Sequence, residues 1–134
     1  MLKIAHHALY NHPLKENHRF PMIKYELIPE QLIMENTCVE NNFFKPKIIS
    51  EENILLTHDK IYFDKLQNQQ LDRKEIRAIG FPMSEKLIER EKTIVQGTVE
   101  CSLNSLKYGI SMNIAGGTHH AFTNRAEAFC LLND

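Results

Sequence analysis

The sequence predicts an α/β fold built on a parallel sheet. Two apolar segments of strand length, near residues 2–4 and 110–114, stand on either side of several helical patterns. The last of these patterns ends at a glycine and leads directly into the second strand, which is followed by a Gly-Gly pair. In open α/β sheets, ligands collect beyond the carboxyl ends of the strands. We therefore interpret residues 1–134 as a single domain or as a fragment of one.

The first half of the chain alternates short elements with turns. Leu2–Ile4 is apolar enough for an initial strand, and residues 6–13 are polar and rich in turn formers. Apolar residues recur at helical spacing from Pro21 to Glu35, but Pro29 is expected to kink or split that helix. After a second break, Ile48-Ile49 indicates a brief extended segment.

Capping residues mark the later helices. Ser50 and Asp59 are predicted N-caps of two helices. Asp72 and Glu75 have capping-box spacing, which predicts a short helix before the turn at Gly80.

The longest helical pattern begins at Ser84 and ends at Gly109, a typical C-cap residue, and we expect a bend near Gly97. Ile110–Ile114 alternates apolar and polar residues and predicts a strand.

Charge and cysteine content narrow the class of protein. Sixteen basic and seventeen acidic residues give a formal charge of −1, so we predict no nucleic-acid partner. Three widely spaced cysteines without a paired metal-binding pattern favour a reducing compartment. No apolar run approaches the ~20 residues of a membrane span, and the N-terminus lacks a leader pattern. We therefore predict no membrane partner and a cytoplasmic location.

Two adjacent histidines follow the Gly-Gly pair, in the segment Gly116-Gly117-Thr118-His119-His120. Glycines let the backbone turn through conformations that a Cβ opposes, so both imidazoles are delivered to the mouth of the strand. Histidine is well suited to moving protons near neutral pH. A purely structural role is the competing interpretation of this pattern taken alone.

The other reactive side chains carry weaker signals. Four histidines cluster near the N-terminus, but their spacing matches no standard zinc module. His58 beside Asp59 fits a helix-entry cap as well as an oriented imidazole, and we do not predict a catalytic role for it. Cys130 has no neighbouring base in the sequence, so we do not predict a nucleophile there.

The tandem-histidine segment and its flanks resemble the histone deacetylase superfamily, particularly its bacterial class IV-like branch. The resemblance rests on residues 113–122 and on Glu127–Asp134. Earlier stretches resemble the N-terminal blocks of that branch: His12-Pro13 with Glu16–Met22, His58-Asp59 with Tyr62, and Arg77–Pro82. The resemblance covers nearly the whole chain and implies the N-terminal part of the arginase/deacetylase-type three-layer fold with a parallel sheet.

The resemblance also implies a reaction, the hydrolysis of an acyl-lysine or a related acetylated amine by a zinc-activated water. By position, His120 resembles the general base and His119 its electrostatic partner. Phe129 resembles one wall of the substrate tunnel. Arg19 resembles the arginine of the inner channel through which the product carboxylate leaves.

Gly117 and Ala128 join Phe129 in the substrate-binding site that the resemblance implies. The family commonly has glycine where this chain has Ala128, whose methyl group lies where backbone and substrate approach closely. The family takes its zinc ligands from an Asp-x-His segment and a later aspartate, both beyond Asp134. We therefore expect zinc in the intact enzyme and no metal ligand within these residues.

Two functions from different classes follow. The first is the N-terminal portion of a zinc-dependent deacetylase, with the 134-residue chain inactive by itself. The alternative is a truncated, inactive remnant that acts as an interaction module or self-associates through an exposed sheet edge. Acyl-lysine in proteins, acetylpolyamines and small acetylated metabolites all remain open as substrates.

Overall fold

The computed structural model describes every residue from Met1 to Asp134. A parallel sheet is connected by helices, which confirms the predicted α/β class. The elements are β1 (Lys3–Ala5), α1 (Lys24–Met34), β2 (Phe43–Phe44), α2 (Glu51–Ile54), α3 (Lys60–Gln67), α4 (Arg73–Ile79), α5 (Glu85–Tyr108) and β3 (Ser111–Asn113). Short 3-10 helices at Ala8–Tyr10 and Glu40–Asn42 follow β1 and precede β2.

The sheet has three strands in the order β2-β1-β3, and both pairings are parallel. The predicted first and last strands are confirmed. Ile48-Ile49 lies outside the strands, and the N–H of the buried Ile49 donates to the carbonyl of Lys92 on α5. The second strand lies a few residues earlier, at Phe43–Phe44, where it pairs with Ile4-Ala5.

Helix α1 continues through Pro29, so the predicted split is wrong. Proline has no N–H to donate to the carbonyl of Tyr25, four residues earlier. The ring of His6 donates to that oxygen instead, with an Nε2 to O distance of 3.1 Å. The loop after β1 therefore satisfies the acceptor that the proline leaves free.

The capping predictions are confirmed at Ser50, Asp72 and Ser84, whose side chains accept backbone N–H bonds from the first turns of α2, α4 and α5. Asp59 occupies the N-cap position of α3, but its side chain makes no capping bond. Its backbone N–H donates to the carbonyl of Thr123 at 2.9 Å. The entry of α3 is thus tied to the loop that follows the tandem histidines.

Helix α5 packs across β1 and β3 and ends at Gly109, with φ 87°. A Cβ built at Gly97 would lie 2.6 Å from the Tyr10 hydroxyl and 2.8 Å from the Asn113 side-chain nitrogen. Gly97 therefore permits close packing of α5 on the sheet. No helix of this chain, including α5, combines the length and apolar character needed to cross a membrane.

A cluster of 19 buried residues packs the helices against one another and against the loops that follow β1 and β3. Apolar side chains remain exposed on the edge strand β3, on the residue before it and on the C-terminal half of α5, which packs on β3. They define what we call the β3 face: Leu103 (63% exposed), Leu106 (87%), Ile110 (58%) and Met112 (55%).

Candidate active site

The predicted turn follows β3 at the carboxyl edge of the sheet. Gly117 has φ 90°, a conformation that favours glycine. At Gly116 an added Cβ would lie 3.2 Å from the Cβ of Asn113, so the turn packs closely on the end of the strand. The turn places His119 and His120 beyond the carboxyl end of β3.

The two imidazoles are exposed and stacked on each other. Their ring centroids lie 4.1 Å apart with an angle of 41° between the planes. Nδ1 of His119 lies 2.8 Å from the carbonyl oxygen of Gly117, so this nitrogen carries the proton and donates it. The turn therefore fixes the orientation of the His119 ring.

A cleft of about 250 Å³ opens beside this pair. All the predicted site residues except Arg19 line it: Gly117, His119, His120, Ala128 and Phe129. Aromatic side chains contribute further wall, among them Phe20 and Tyr25. The arrangement combines proton-transfer groups with an apolar wall, as expected of a site that grips an aliphatic chain and acts on a polar group at its end.

The buried charge of the cleft is Arg90, which sequence analysis missed. It is 2% exposed, its Nε donates to the carbonyl of Tyr10 at 2.8 Å, and its guanidinium lies 5.1 Å from the Tyr25 ring centroid. It also forms an ion pair with Glu91. Burial raises the pKa of the Glu91 carboxyl, and the Arg90 charge opposes that rise. The available signal was an acidic residue within the apolar stripe of α5, which indicates a buried partner.

Arg19 lies outside the lining of that cleft. Its side chain is exposed, and its guanidinium carbon is 4.8 Å from the centroid of the Phe129 ring. The residues on either side of it take the inward positions, because the rings of His18 and Phe20 both pack against Phe81. The structure thus brings Arg19 to the predicted tunnel wall and leaves the buried position to Arg90.

Ala128 and Phe129 both have positive φ, 49° and 67°. Their backbone N–H groups donate to the carbonyls of Ala78 and Ile79 at the end of α4, at 2.9 and 2.8 Å. The Phe129 ring packs on Phe81, with 4.9 Å between the centroids. A left-handed conformation gives a physical reason for glycine at position 128, where this chain carries a Cβ.

Two further residues missed as site residues, Asn133 and Asp134, contact the tandem-histidine segment directly. The Asp134 carboxylate accepts N–H bonds from Gly117 at 3.0 Å and Thr118 at 2.7 Å. The Asn133 side chain donates to the carbonyls of His119 at 3.3 Å and Ala121 at 2.9 Å. Only the tertiary structure reveals these contacts, since no local pattern in the sequence pairs residues 133 and 134 with residues 117–121.

His58 is buried against the same segment. Its Nε2 accepts the backbone N–H of Asn133 at 3.0 Å, and its Nδ1 lies 3.3 Å from the carbonyl oxygen of Thr123. An Nε2 that accepts and an Nδ1 that donates define a neutral ring. Burial lowers the pKa of His58, with smaller opposing effects from the Thr123 carbonyl and from Asp59.

Cys130 lines the cleft but is buried, and burial raises the pKa of its thiol. A raised pKa reduces the thiolate fraction on which cysteine reactivity depends. The 134 residues contain no group of three or more His, Cys, Asp or Glu side chains that could hold a metal ion.

Comparisons with known proteins agree with this architecture. The histone deacetylase domain family matches residues 13–134. An uncharacterized protein from Picosynechococcus sp. is 34% identical over 98% of this chain and 44% of its own length. The acetoin utilization protein AcuC of Staphylococcus aureus is 23% identical over 94% of this chain and 35% of its own. The chain thus spans less than half the length of these relatives.

Solved structures show the same fold. A crystal structure of a histone deacetylase homologue from Aquifex aeolicus superimposes with a TM-score of 0.77 and 26% identity, covering 98% of this chain and 38% of that one. A homologue in complex with SAHA matches with the same values, a TM-score of 0.77, 26% identity, and 98% and 38% coverage. The predicted N-terminal part of the arginase/deacetylase-type fold is thereby confirmed.

Proposed function

This chain belongs to the histone deacetylase family, and we propose that it forms the N-terminal part of a zinc-dependent deacetylase that hydrolyses an acyl-lysine or a related acetylated amine. The observation that carries the proposal is the cleft, whose lining joins His119 and His120 to the Phe129 wall. A complex of a homologue with SAHA is among the structures that superimpose on this chain. Because the relatives are longer, the complete reaction is proposed for a protein that contains this segment.

We propose that residues outside this segment supply the zinc ligands. The cleft is lined by histidines and cations and by no carboxylate, and no metal-holding cluster exists within residues 1–134. The donor set that zinc prefers is therefore not assembled by this segment.

The proton transfers are assigned to the tandem histidines. We propose that His120 accepts a proton from the attacking water and returns it to the leaving amine. His119 is held with its Nδ1 proton on the Gly117 carbonyl, and its ring lies against that of His120. In this position it acts as the electrostatic partner of the base.

The walls of the cleft suit the other parts of the substrate. We propose that Phe129, with Gly117 and Ala128, contacts the aliphatic stem of the acetylated amine, since all three line the cleft. Hydrolysis also produces a carboxylate. Arg19 remains the proposed channel arginine from the family resemblance, and the buried Arg90 is a second candidate because it lines the cleft itself.

The test measures zinc content and hydrolysis of a fluorogenic acetyl-lysine peptide, in the 134-residue chain and in a longer protein that contains it. We expect zinc and turnover only in the longer protein. Zinc and turnover in the short chain would contradict the ligand assignment. Inactivity of both would favour the interaction-module alternative, which the exposed β3 face supports.

His120→Ala tests the general base in the active, longer protein. We expect kcat to fall by about 10²–10⁴-fold, the usual contribution of a positioned base. His7→Ala, at a half-buried imidazole outside the cleft lining, is the control and should retain turnover. Near-normal turnover of the His120 variant would contradict the assignment.

A further inference from the structure

We propose that Asn133 and Asp134 are positioning residues that hold the tandem histidines in place, and that His58 holds Asn133 in turn. We call the three residues the clamp. The clamp binds the backbone of residues 117–121 through hydrogen bonds to both ends of that segment. The inference rests on the proposed function only in giving His119 and His120 their chemical role.

Asp134 holds the start of the segment. Its carboxylate accepts the N–H groups of Gly117 and Thr118, at 3.0 and 2.7 Å, and the hydroxyl of Thr98 at 2.6 Å. Hydrogen bonds to an ionised acceptor are stronger than neutral ones. A glycine residue loses more conformational freedom on folding than other residues do. The carboxylate of Asp134 offsets that cost at Gly117 by holding its N–H in one conformation.

Asn133 holds the backbone on both sides of His120. Its side-chain amide donates to the carbonyl of His119 at 3.3 Å and to that of Ala121 at 2.9 Å. The peptide unit that precedes His120 and the one that follows Ala121 are thereby tied to one planar group. Fixing both units restricts where the His120 ring can lie, which is the requirement for a base within reach of its proton.

A chain of hydrogen bonds anchors the clamp in the core. Thr98 on α5 donates to Asp134 and accepts from the Asn113 side chain at 3.0 Å. Asn113 in turn accepts from the hydroxyl of Tyr10 at 3.0 Å. Tyr10 is fully buried, so this chain of hydrogen bonds connects Asp134 to the core of the fold.

His58 fixes the backbone of Asn133 from the other side. It is 4% exposed, and its two ring nitrogens bond the Asn133 N–H and the Thr123 carbonyl. These two hydrogen bonds hold the two ends of residues 123–133, the segment that follows the tandem histidines. Without the acceptor at Nε2, the Asn133 N–H would lose its hydrogen-bond partner, and we expect residue 133 to shift towards another one.

A matched pair of substitutions at His58 tests this step in the 134-residue chain. His58→Gln can place an acceptor oxygen near the position of Nε2, whereas His58→Asn can retain a donor near Nδ1 but leaves the Asn133 N–H unpaired. We measure amide hydrogen exchange and backbone chemical shifts by NMR. In His58→Asn we expect about tenfold or faster exchange at Gly117 and Thr118, with shifted His119 and His120 resonances. His58→Gln should restore both.

The amides of α3 and α5 serve as internal controls for the fold in these spectra. Equal perturbation of residues 117–121 by both variants would overturn the inference, as would a change limited to the Asn133 amide. The first outcome means general packing, and the second means that His58 does not act through Asn133 on the histidines.

A second pair keeps the inference testable if His58→Asn unfolds. Asp134→Asn removes the charge and one acceptor, and we expect about tenfold faster exchange at Gly117 and Thr118. Thr98→Val leaves both of those amide bonds intact and should change exchange less. Equal effects of the two variants, or none from Asp134→Asn, would overturn the clamp. No catalysis is measured, so failure of the clamp and failure of the proposed function are separate results.

Discussion

At residue 128 a side chain with a Cβ occupies a left-handed backbone conformation, with φ 49°. The hydrogen bond from the Ala128 N–H to the Ala78 carbonyl holds the residue in that conformation at the edge of the cleft. Positive φ costs an L-residue roughly 1–2 kcal/mol, while glycine pays a smaller entropic penalty. The proposed tunnel wall is therefore held in place against a local conformational preference.

Replacing this alanine tests the strain. We expect Ala128→Gly to raise the free energy of unfolding by about 0.5–1 kcal/mol, since relief of the left-handed strain exceeds the added entropy of glycine. Urea denaturation measures the change. Ala126→Gly is the matched control: residue 126 is buried and has no positive φ, so it should lose stability. Loss of stability in both variants would contradict the strain.

His58 gives the fold a pH dependence at the same scale. Burial lowers its pKa in the folded chain, whereas in the unfolded chain the value is about 6.5. Between these values the unfolded state binds more protons, so stability is greatest above about pH 6.5 and falls as the pH drops. His58→Gln should therefore flatten the rise of the urea midpoint with pH over that window. Identical slopes for the two proteins would exclude a contribution from His58.

The end of helix α4 supports residues 128 and 129, the proposed tunnel wall. Its C-cap, Gly80, has φ 81°, and a Cβ there would lie 2.8 Å from the Phe129 ring. The preceding carbonyls of Ala78 and Ile79 accept the N–H groups of residues 128 and 129. A turn that the sequence predicts from glycine and proline thus also shapes the cleft.

Two glycine substitutions separate the terms at this element. Gly80→Ala should lower the free energy of unfolding by more than about 1 kcal/mol. The added methyl group would clash with the Phe129 ring, and alanine would also have to adopt a positive φ. Gly109→Ala has the same conformational cost, with φ 87°, but no atom within 4 Å of the added Cβ. We expect a smaller loss there by urea denaturation. Equal losses would mean that Phe129 yields without cost.

At the scale of the whole molecule, the β3 face is an apolar surface that no other part of the chain covers. β3 forms an edge of the sheet, and side chains such as Leu106 and Met112 are 87% and 55% exposed. Unpaired strand edges beside apolar surface favour association with another chain. This face supports the proposal that the isolated segment self-associates.

Sedimentation velocity tests that proposal. We expect the sedimentation coefficient of the 134-residue chain to rise with concentration, and Met112→Lys to reduce the rise. Leu27→Lys, at a half-exposed apolar position on α1, is the control and should behave like the parent. A monomer at every concentration would refute self-association through β3.

Local signals in the sequence determined much of this molecule. The sequence predicted the caps at Ser50 and Asp72, the start of α5 at Ser84, and the strand that leads into Gly116 and the tandem histidines. Each of these features depends on residues within a few positions of one another. The family resemblance and the fold class were likewise readable from the chain and are confirmed. The roles of the individual site residues stay predictions.

Only the tertiary structure decided which distant residues meet. It placed the second strand at Phe43–Phe44, supplied His6 to the helix acceptor freed by Pro29, and put Arg90 in the cleft while Arg19 stayed exposed. It also brought His58 to Asn133, 75 positions along the chain. Such contacts leave no local pattern, because a single hydrogen bond or buried charge depends on packing from several elements at once and not on the neighbours in sequence.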